Sequence, residues 1–224
     1  MLADALQTLL QRLDNAARAA GRPVPELLAV SKRQAATAIA ELHAAGQRSF
    51  GENYVQEALA KQRELAGLDI TWHLIGHLQS NKAREAAAAF DWVQTVDRAR
   101  LVAALDRHRP PARPPLNVLI QVNVDDEASK HGCRSDEVPA LAAAVAAAPR
   151  LRLRGLMAIP APFPDLGRRR EAFRRMRGLF EDLRAAHPQA DTLSMGMSED
   201  AELAVAEGAT LVRVGTALFG PRPG

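Results

Sequence analysis

Lysine is scarce in this chain. Of 29 basic residues only four are lysines (Lys32, Lys61, Lys82 and Lys130), and the remainder are arginines. A guanidinium stays protonated, whereas a desolvated ammonium loses its proton and attacks carbonyls. Lys32 stands apart from the other three because it directly follows Ser31 and the apolar run Leu27-Leu28-Ala29-Val30. A lysine stem packed at the rim of a core has its pKa lowered by desolvation, which a Schiff-base lysine requires. The second feature is glycine beside a hydroxyl near the end of the chain, in Gly196-Met197-Ser198 and Gly215-Thr216. Small residues let backbone N–H groups approach a phosphate, and a helix start favours negative charge. An ordinary rim lysine and a simple Ser198 helix cap would use the same residues. An amine facing a phosphate cradle suits a phosphorylated carbonyl compound. Pyridoxal 5'-phosphate (PLP) is one, and a sugar phosphate on a class I aldolase is another.

Other chemistries find little support. Of the six histidines only His73 and His77 are close, and they fall on a strand and its following loop, not on one helical face, so no metal site is expected. There is no G-x-S-x-G and no P-loop pattern. The single cysteine, Cys133, excludes a disulfide framework and a cysteine-based zinc site.

The elements that must hold these residues alternate in type. A first helix spans residues 1–20, with Leu2, Leu6, Leu9, Leu10 and Leu13 at helical spacing. Short apolar or β-branched runs then recur near positions 28, 50, 73, 94, 120, 155, 194 and 212. Each is followed by a helical pattern or a terminal segment, with helices predicted over 35–45, 54–66, 80–89, 97–108, 135–147, 167–186 and 198–207. Asp97, Ser135 and Ser198 are read as their caps where they open these stretches. Strands alternating with helices imply right-handed crossovers and a parallel sheet, and eight such units close a barrel. The expected fold is therefore α/β: a single (β/α)8 TIM barrel over residues 1–224 with an extra N-terminal helix. An open doubly wound sheet is disfavoured, because Ser31-Lys32-Arg33-Gln34 after strand one is not glycine-rich. In a barrel the working face lies at the carboxyl ends of the strands, where Lys32 and the Gly196 and Gly215 segments all emerge.

Composition narrows the class. The chain has 224 residues, 47% hydrophobic and 25% charged, enough for a substantial core. The net charge is only +3 and aromatics make up 4%, so a nucleic-acid stripe interleaved with aromatics is not expected. Arg168-Arg169-Arg170 with Arg174, Arg175 and Arg177 is read as a solvated helix face. No apolar run is long enough to span a bilayer, and the start carries Asp4, Gln7 and Gln11 where a signal peptide would be basic and then apolar. A cytoplasmic, membrane-free protein is expected.

Six ordered segments carry a resemblance. They are Ala29-Val30-Ser31-Lys32, Phe50 to Glu57, Trp72 to Lys82, Arg154 to Pro160, Leu193 to Ser198 with Asp200, and Val212 to Gly220. Together they resemble the pyridoxal phosphate homeostasis protein family from about residue 4 to 220. The resemblance implies a barrel similar to the N-terminal domain of alanine racemase, with PLP as cofactor. By the same resemblance Lys32 holds the cofactor and Arg213 faces its pyridine nitrogen. Ser198, Gly215 and Thr216 contact the phosphate, with Gly196 and Met197 alongside. Asn53 lines the cofactor side, and Met157 and Met195 wall the ring.

The family implies buffering and delivery of the cofactor to PLP-dependent apo-enzymes, with no established turnover. A weak amino-acid racemase is the alternative. An arginine beside the pyridine nitrogen opposes its protonation and weakens the ring as an electron sink. Racemization also needs acid–base groups on both faces of the substrate, and the only tyrosine here is Tyr54. With no partner domain to supply them, a monomer is expected. The family commonly continues Ser-Lys-Thr-Lys-Pro after the first strand, whereas here Lys32 is followed by Arg33-Gln34-Ala35. His77 falls at a position that varies in the family and receives no role. Lys130, in the loop after strand five, is expected on the same rim.

Overall fold

Eight short strands lie in chain order around a closed barrel: β1 (Glu26–Val30), β2 (Ser49–Glu52), β3 (Thr71–Leu74), β4 (Trp92–Val96), β5 (Leu116–Gln121), β6 (Leu151–Met157), β7 (Thr192–Ser194) and β8 (Leu211–Val214). The computed structural model describes residues 1–125, 131–161 and 163–220, so Lys130 lies outside the described residues. All eight pairings are parallel, and β8 returns to β1 with Leu28 beside Arg213 and Ala29 beside Val214. The helices that follow the strands in turn are α2 (Ala36–Ala44), α3 (Val55–Glu64), α4 (Ala83–Ala89), α5 (Ala99–His108), α6 (Val138–Ala146), α7 (Leu166–Ala186), α8 (Ala201–Ala206) and α9 (Thr216–Phe219). The extra helix, α1 (Leu2–Ala19), precedes β1 and packs against α2, α8 and α9, so it covers the side of the barrel. Its inward stripe is Leu6, Leu9, Leu13 and Ala17, the helical spacing seen in the sequence.

The strand alternation divides the core in two. Leu27, Ala29, Leu74, Val93, Leu193, Val212 and Val214 face the helices and join the main apolar cluster. The barrel interior is smaller and partly polar. Trp92, Leu119 and Met157 form one apolar group there, and Leu28, Ile75 and Leu211 another. Through the same interior runs a chain of buried polar side chains. Arg213 Nη1 donates to Ser194 Oγ (2.7 Å), Ser194 Oγ donates to Gln94 Oε1 (2.7 Å), and Gln94 Nε2 lies 3.0 Å from His73 Nδ1. His73 also stacks on Trp92, 5.1 Å between centroids.

Strand and helix ends differ from the sequence reading by a few residues. Strand six ends at Met157, so Ala158, Ile159 and Pro160 leave the sheet as loop. The three expected caps are corrected. Asp97 spends its carboxylate on Arg98, and α5 starts without a side-chain cap. Ser135 opens a 3-10 turn, Ser135–Glu137, before α6. Ser198 lies ahead of α8, in whose entry Asp200 Oδ1 accepts from Met197 N (2.7 Å). At Asp97 and Ser198 a nearby charged residue takes part in the hydrogen bonding that local spacing alone assigns to the cap.

Candidate functional site

The carboxyl ends of β1, β2, β3, β6, β7 and β8 open onto one cleft of about 350 Å³. β1 is driven inward by its apolar residues and releases the chain at Ser31, so half-buried Lys32 stands on the cleft wall one residue later. The Lys32-Arg33 turn brings Arg33 to φ +61, the one positive φ at a non-glycine residue among those described. Arg33 N is held there by Glu57 Oε1. The next strand delivers Asn53, and close packing of two strand exits fixes it. A Cβ on Gly76 would sit 2.1 Å from the Asn53 carbonyl oxygen, so only glycine lets β3 leave beside β2.

Across the opening, Met197, Ser198, Gly215 and Thr216 line the cleft together with Arg213. Gly215 brings its backbone against β1, where a Cβ would lie 3.3 Å from the Val30 carbonyl oxygen. Among the described residues the amides of Ser198, Gly215 and Thr216 donate no backbone hydrogen bond. Gly196 is buried at φ +89, and a Cβ there would lie 2.5 Å from Ala204 Cβ; it turns the chain against α8 and does not line the cleft. Met157 and Met195 are fully buried and do not line it either. Met157 packs inside the barrel with Trp92 and Leu119, and Met195 belongs to the main core. The structure thus brings Lys32, Asn53, Met197, Ser198, Arg213, Gly215 and Thr216 together and sets the other three expected residues behind them.

Arg213 is the electrostatic centre of this wall. It is 3% exposed and donates from Nη1 to Ser194 and from Nη2 to the Ala158 carbonyl (2.8 Å). Both acceptors are neutral, and no carboxylate of the described residues lies within ion-pair distance. Burial pushes its pKa down to about 10, with Asp200 pulling the other way, so the guanidinium is charged at neutral pH and keeps spare donors.

Beneath Lys32 lies a second buried cluster that spacing did not reveal. Lys61, on α3, reaches inward and donates to the Ser31 carbonyl, to Glu52 Oε1 and to Glu57 Oε1, each at 2.7 Å. Ser31 Oγ donates to the same Glu52 oxygen (2.6 Å). Glu52 is fully buried, and burial raises its pKa against the pull of Lys61 and Ser31. Its other oxygen, Oε2, has no partner.

The arginine run is a solvated helix face at Arg168, Arg170, Arg174 and Arg175, and differs from that reading at Arg169, which turns inward. Arg169 is 13% exposed and lines the cleft, with Nη1 4.0 Å from both Glu199 and Asp200 and Nε donating to the Phe163 carbonyl. Arg170, Arg174 and Arg177 converge on buried Glu207, and Arg175 pairs with Asp125. Tertiary packing adds carboxylate partners to that face without burying it. Gln34, Glu199, Ile159 and Pro160 also line the cleft, and only their position after strands one, six and seven hinted at it. Cys133 is buried and its thiol is pushed up to about 12 by burial, which makes it a poor nucleophile.

Residues 5–223 match the family model described as alanine racemase, N-terminal domain. The chain is 54% identical to the pyridoxal phosphate homeostasis protein of Pseudomonas aeruginosa, covering 99% of this chain and 96% of that one. It is 52% identical to the protein of the same description from Escherichia coli K12, covering 99% and 97%. Among solved structures it is similar to PipY of Synechococcus elongatus. The form without PLP has a TM-score of 0.89 at 41% identity, and the form with PLP bound 0.84 at 40%; each covers 98% of this chain and all of PipY. The alanine racemase of Corynebacterium glutamicum shares the fold at a TM-score of 0.74 and 20% identity, and this chain spans 61% of its length. By sequence over nearly its whole length and by fold, the chain belongs to the pyridoxal phosphate homeostasis protein family, built on the alanine racemase N-terminal barrel.

Proposed function

We propose that this protein binds PLP in the cleft and serves in its homeostasis, taking up the reactive cofactor and giving it back. The observation that carries the reading is the pairing of Lys32 on one wall with Ser198, Gly215, Thr216 and Arg213 on the other. The residues fit the group. Glycine at 215 leaves backbone room that a Cβ would narrow, three amides there have no backbone acceptor, and a buried guanidinium has only neutral partners. PLP supplies an aldehyde that condenses reversibly with a primary amine, and a phosphate that needs donors.

In this reading Lys32 presents the amine, and the Ser198, Gly215 and Thr216 segments donate to the phosphate. Arg213 faces the ring with a fixed positive charge, held by Ser194 and the Ala158 carbonyl. A ring nitrogen beside a guanidinium is kept unprotonated, which restrains carbanion chemistry. Asn53 and Met197 flank the ring, while Gly196, Met157 and Met195 support the wall from behind.

Binding without turnover is favoured over racemization. Tyr54 is 56% exposed and does not line the cleft, and the cleft's titratable residues besides Lys32 are Arg169, Glu199, Asp200 and Arg213. Removal and return of a proton on opposite faces would need a second positioned acid or base. We further propose that residues 1–224 act as one PLP-binding unit, as a cytoplasmic monomer that supplies PLP-dependent apo-enzymes. No helix of the described residues is long and apolar enough to cross a membrane.

Borohydride reduction of the PLP-loaded protein followed by peptide mapping tests the assignment. The pyridoxyl label is expected on Lys32 and absent from Lys32→Ala. A label on Lys61 or Lys82 instead would refute the site. Turnover of L-alanine well above that of free PLP would replace the carrier reading with the racemase one, and a solution mass above that of one chain would remove the monomer.

A further inference from the structure

On the side of the barrel mouth away from β7 and β8, the loops leaving β3, β4 and β5 bring His77, Asp97 and His131 together. One ligand atom from each lies within 4.8 Å of the others. His77 Nδ1 is 4.0 Å from Asp97 Oδ2, and the two imidazoles stack with centroids 3.7 Å apart and planes 13° from parallel. The ligating lone pairs lie in the ring planes, so the two rings must turn out of this stack to meet at one ion. The surroundings anchor the Asp97 carboxylate and the His131 backbone and leave the two rings free to rotate at the rim. Asp97 Oδ1 is taken by Arg98, which also donates to the Leu78 carbonyl (2.9 Å), and this leaves Oδ2 facing His77. The His131 backbone is fixed by Gln121 Nε2 donating to its carbonyl (3.2 Å). Hydrogen bonds that orient a ligating carboxylate and its neighbours are what a metal site needs around its ligands.

We infer that His77, Asp97 and His131 form a binding site for one divalent transition-metal ion of the zinc, cobalt and nickel class. Two imidazoles and a carboxylate are the donors these ions take, and three protein ligands leave at least one coordination position open. Both histidines are exposed, so the ion enters directly from solvent. Ligands at about 2.1 Å in a tetrahedron stand about 3.4 Å apart, so the widest pair must close by about 1.4 Å. That closing falls to rotation of the two exposed imidazoles, and titration with the metal tests whether it occurs. The Arg98 charge beside Asp97 opposes a cation, so binding weaker than at a buried structural site is expected.

The test uses the full chain, stripped with a chelator and titrated in phosphate-free buffer with Co2+ (visible absorption) and Zn2+ (calorimetry). One equivalent is expected to bind, with cobalt bands of a nitrogen–oxygen site. Affinity should fall at least about tenfold in His77→Ala and in His131→Ala, with unchanged far-UV circular dichroism. Lys32→Ala should bind as the parent does, since the site does not use the cleft. Absence of saturable binding, parent-like affinity in either histidine variant, or loss in Lys32→Ala would each overturn the assignment.

Discussion

His73 shows how much a single buried side chain sets. It sits fully buried inside the barrel, stacked on Trp92 with Nδ1 on Gln94, while Nε2 has no partner among the described residues. Burial, reinforced by the Arg154 charge, pushes its pKa down to about 3. The unfolded chain takes up a proton near pH 6.5 that the folded chain refuses, so stability falls as pH drops through the window from 6.5 towards 3. Each unit in that window costs up to about 1.4 kcal/mol, or about 2 kcal/mol between pH 6.5 and 5. Urea unfolding of His73→Gln at those two pH values should show most of that slope gone; an unchanged slope would place its origin elsewhere. At this scale Lys32 was legible because an amine ending an apolar run is unusual. His73 was not, because its surroundings come from β4, β6 and β7, which alternation predicts to exist but whose side chains it does not match to one another.

Between elements, the contact that matters most is Lys61 spanning from α3 to the residue before Lys32. Its ammonium bonds Glu52 at the end of β2, Glu57 on its own helix and the Ser31 carbonyl after β1, so three elements share one charge. Removing one partner of such a buried pair strands the other. Lys61→Met should cost about 3 kcal/mol and lower Tm by roughly 6–12 °C in a chain of this size. The double variant Lys61→Met with Glu52→Gln should recover most of the loss, because the carboxylate that burial penalises is gone. Thermal melts of the parent and the two variants decide this, and equal losses in the single and double variants would show that packing of the Lys61 stem, not charge, is responsible. In the sequence Lys61 is one polar position of a helix. Periodicity gives a helix's inward face, but not which loop carbonyl that face will meet.

For the molecule as a whole, barrel closure makes the cleft a property of the entire chain. Lys32 follows the first strand and Thr216 the last, and they line one cavity because β8 pairs with β1. PLP bound across that seam should therefore stabilise the complete fold. At 100 times Kd the gain is about 2.7 kcal/mol, which raises Tm by roughly 5–10 °C. Lys32→Ala should lose most of the shift; a full shift in that variant would mean that the cofactor binds without the amine. The number, order and type of elements were written in the sequence, since strand and helix periods are local and eight alternating units close in one way. The walls of the site were legible where glycine, hydroxyl and lysine stand at strand exits. What only the tertiary structure decided is which side chains meet: Met157 and Met195 behind the wall, Arg169 turned into the cleft, Lys61 under Ser31, and His77 against His131. Those meetings depend on strand register and on the angles at which loops leave the barrel, and both are set by packing between residues far apart in the chain.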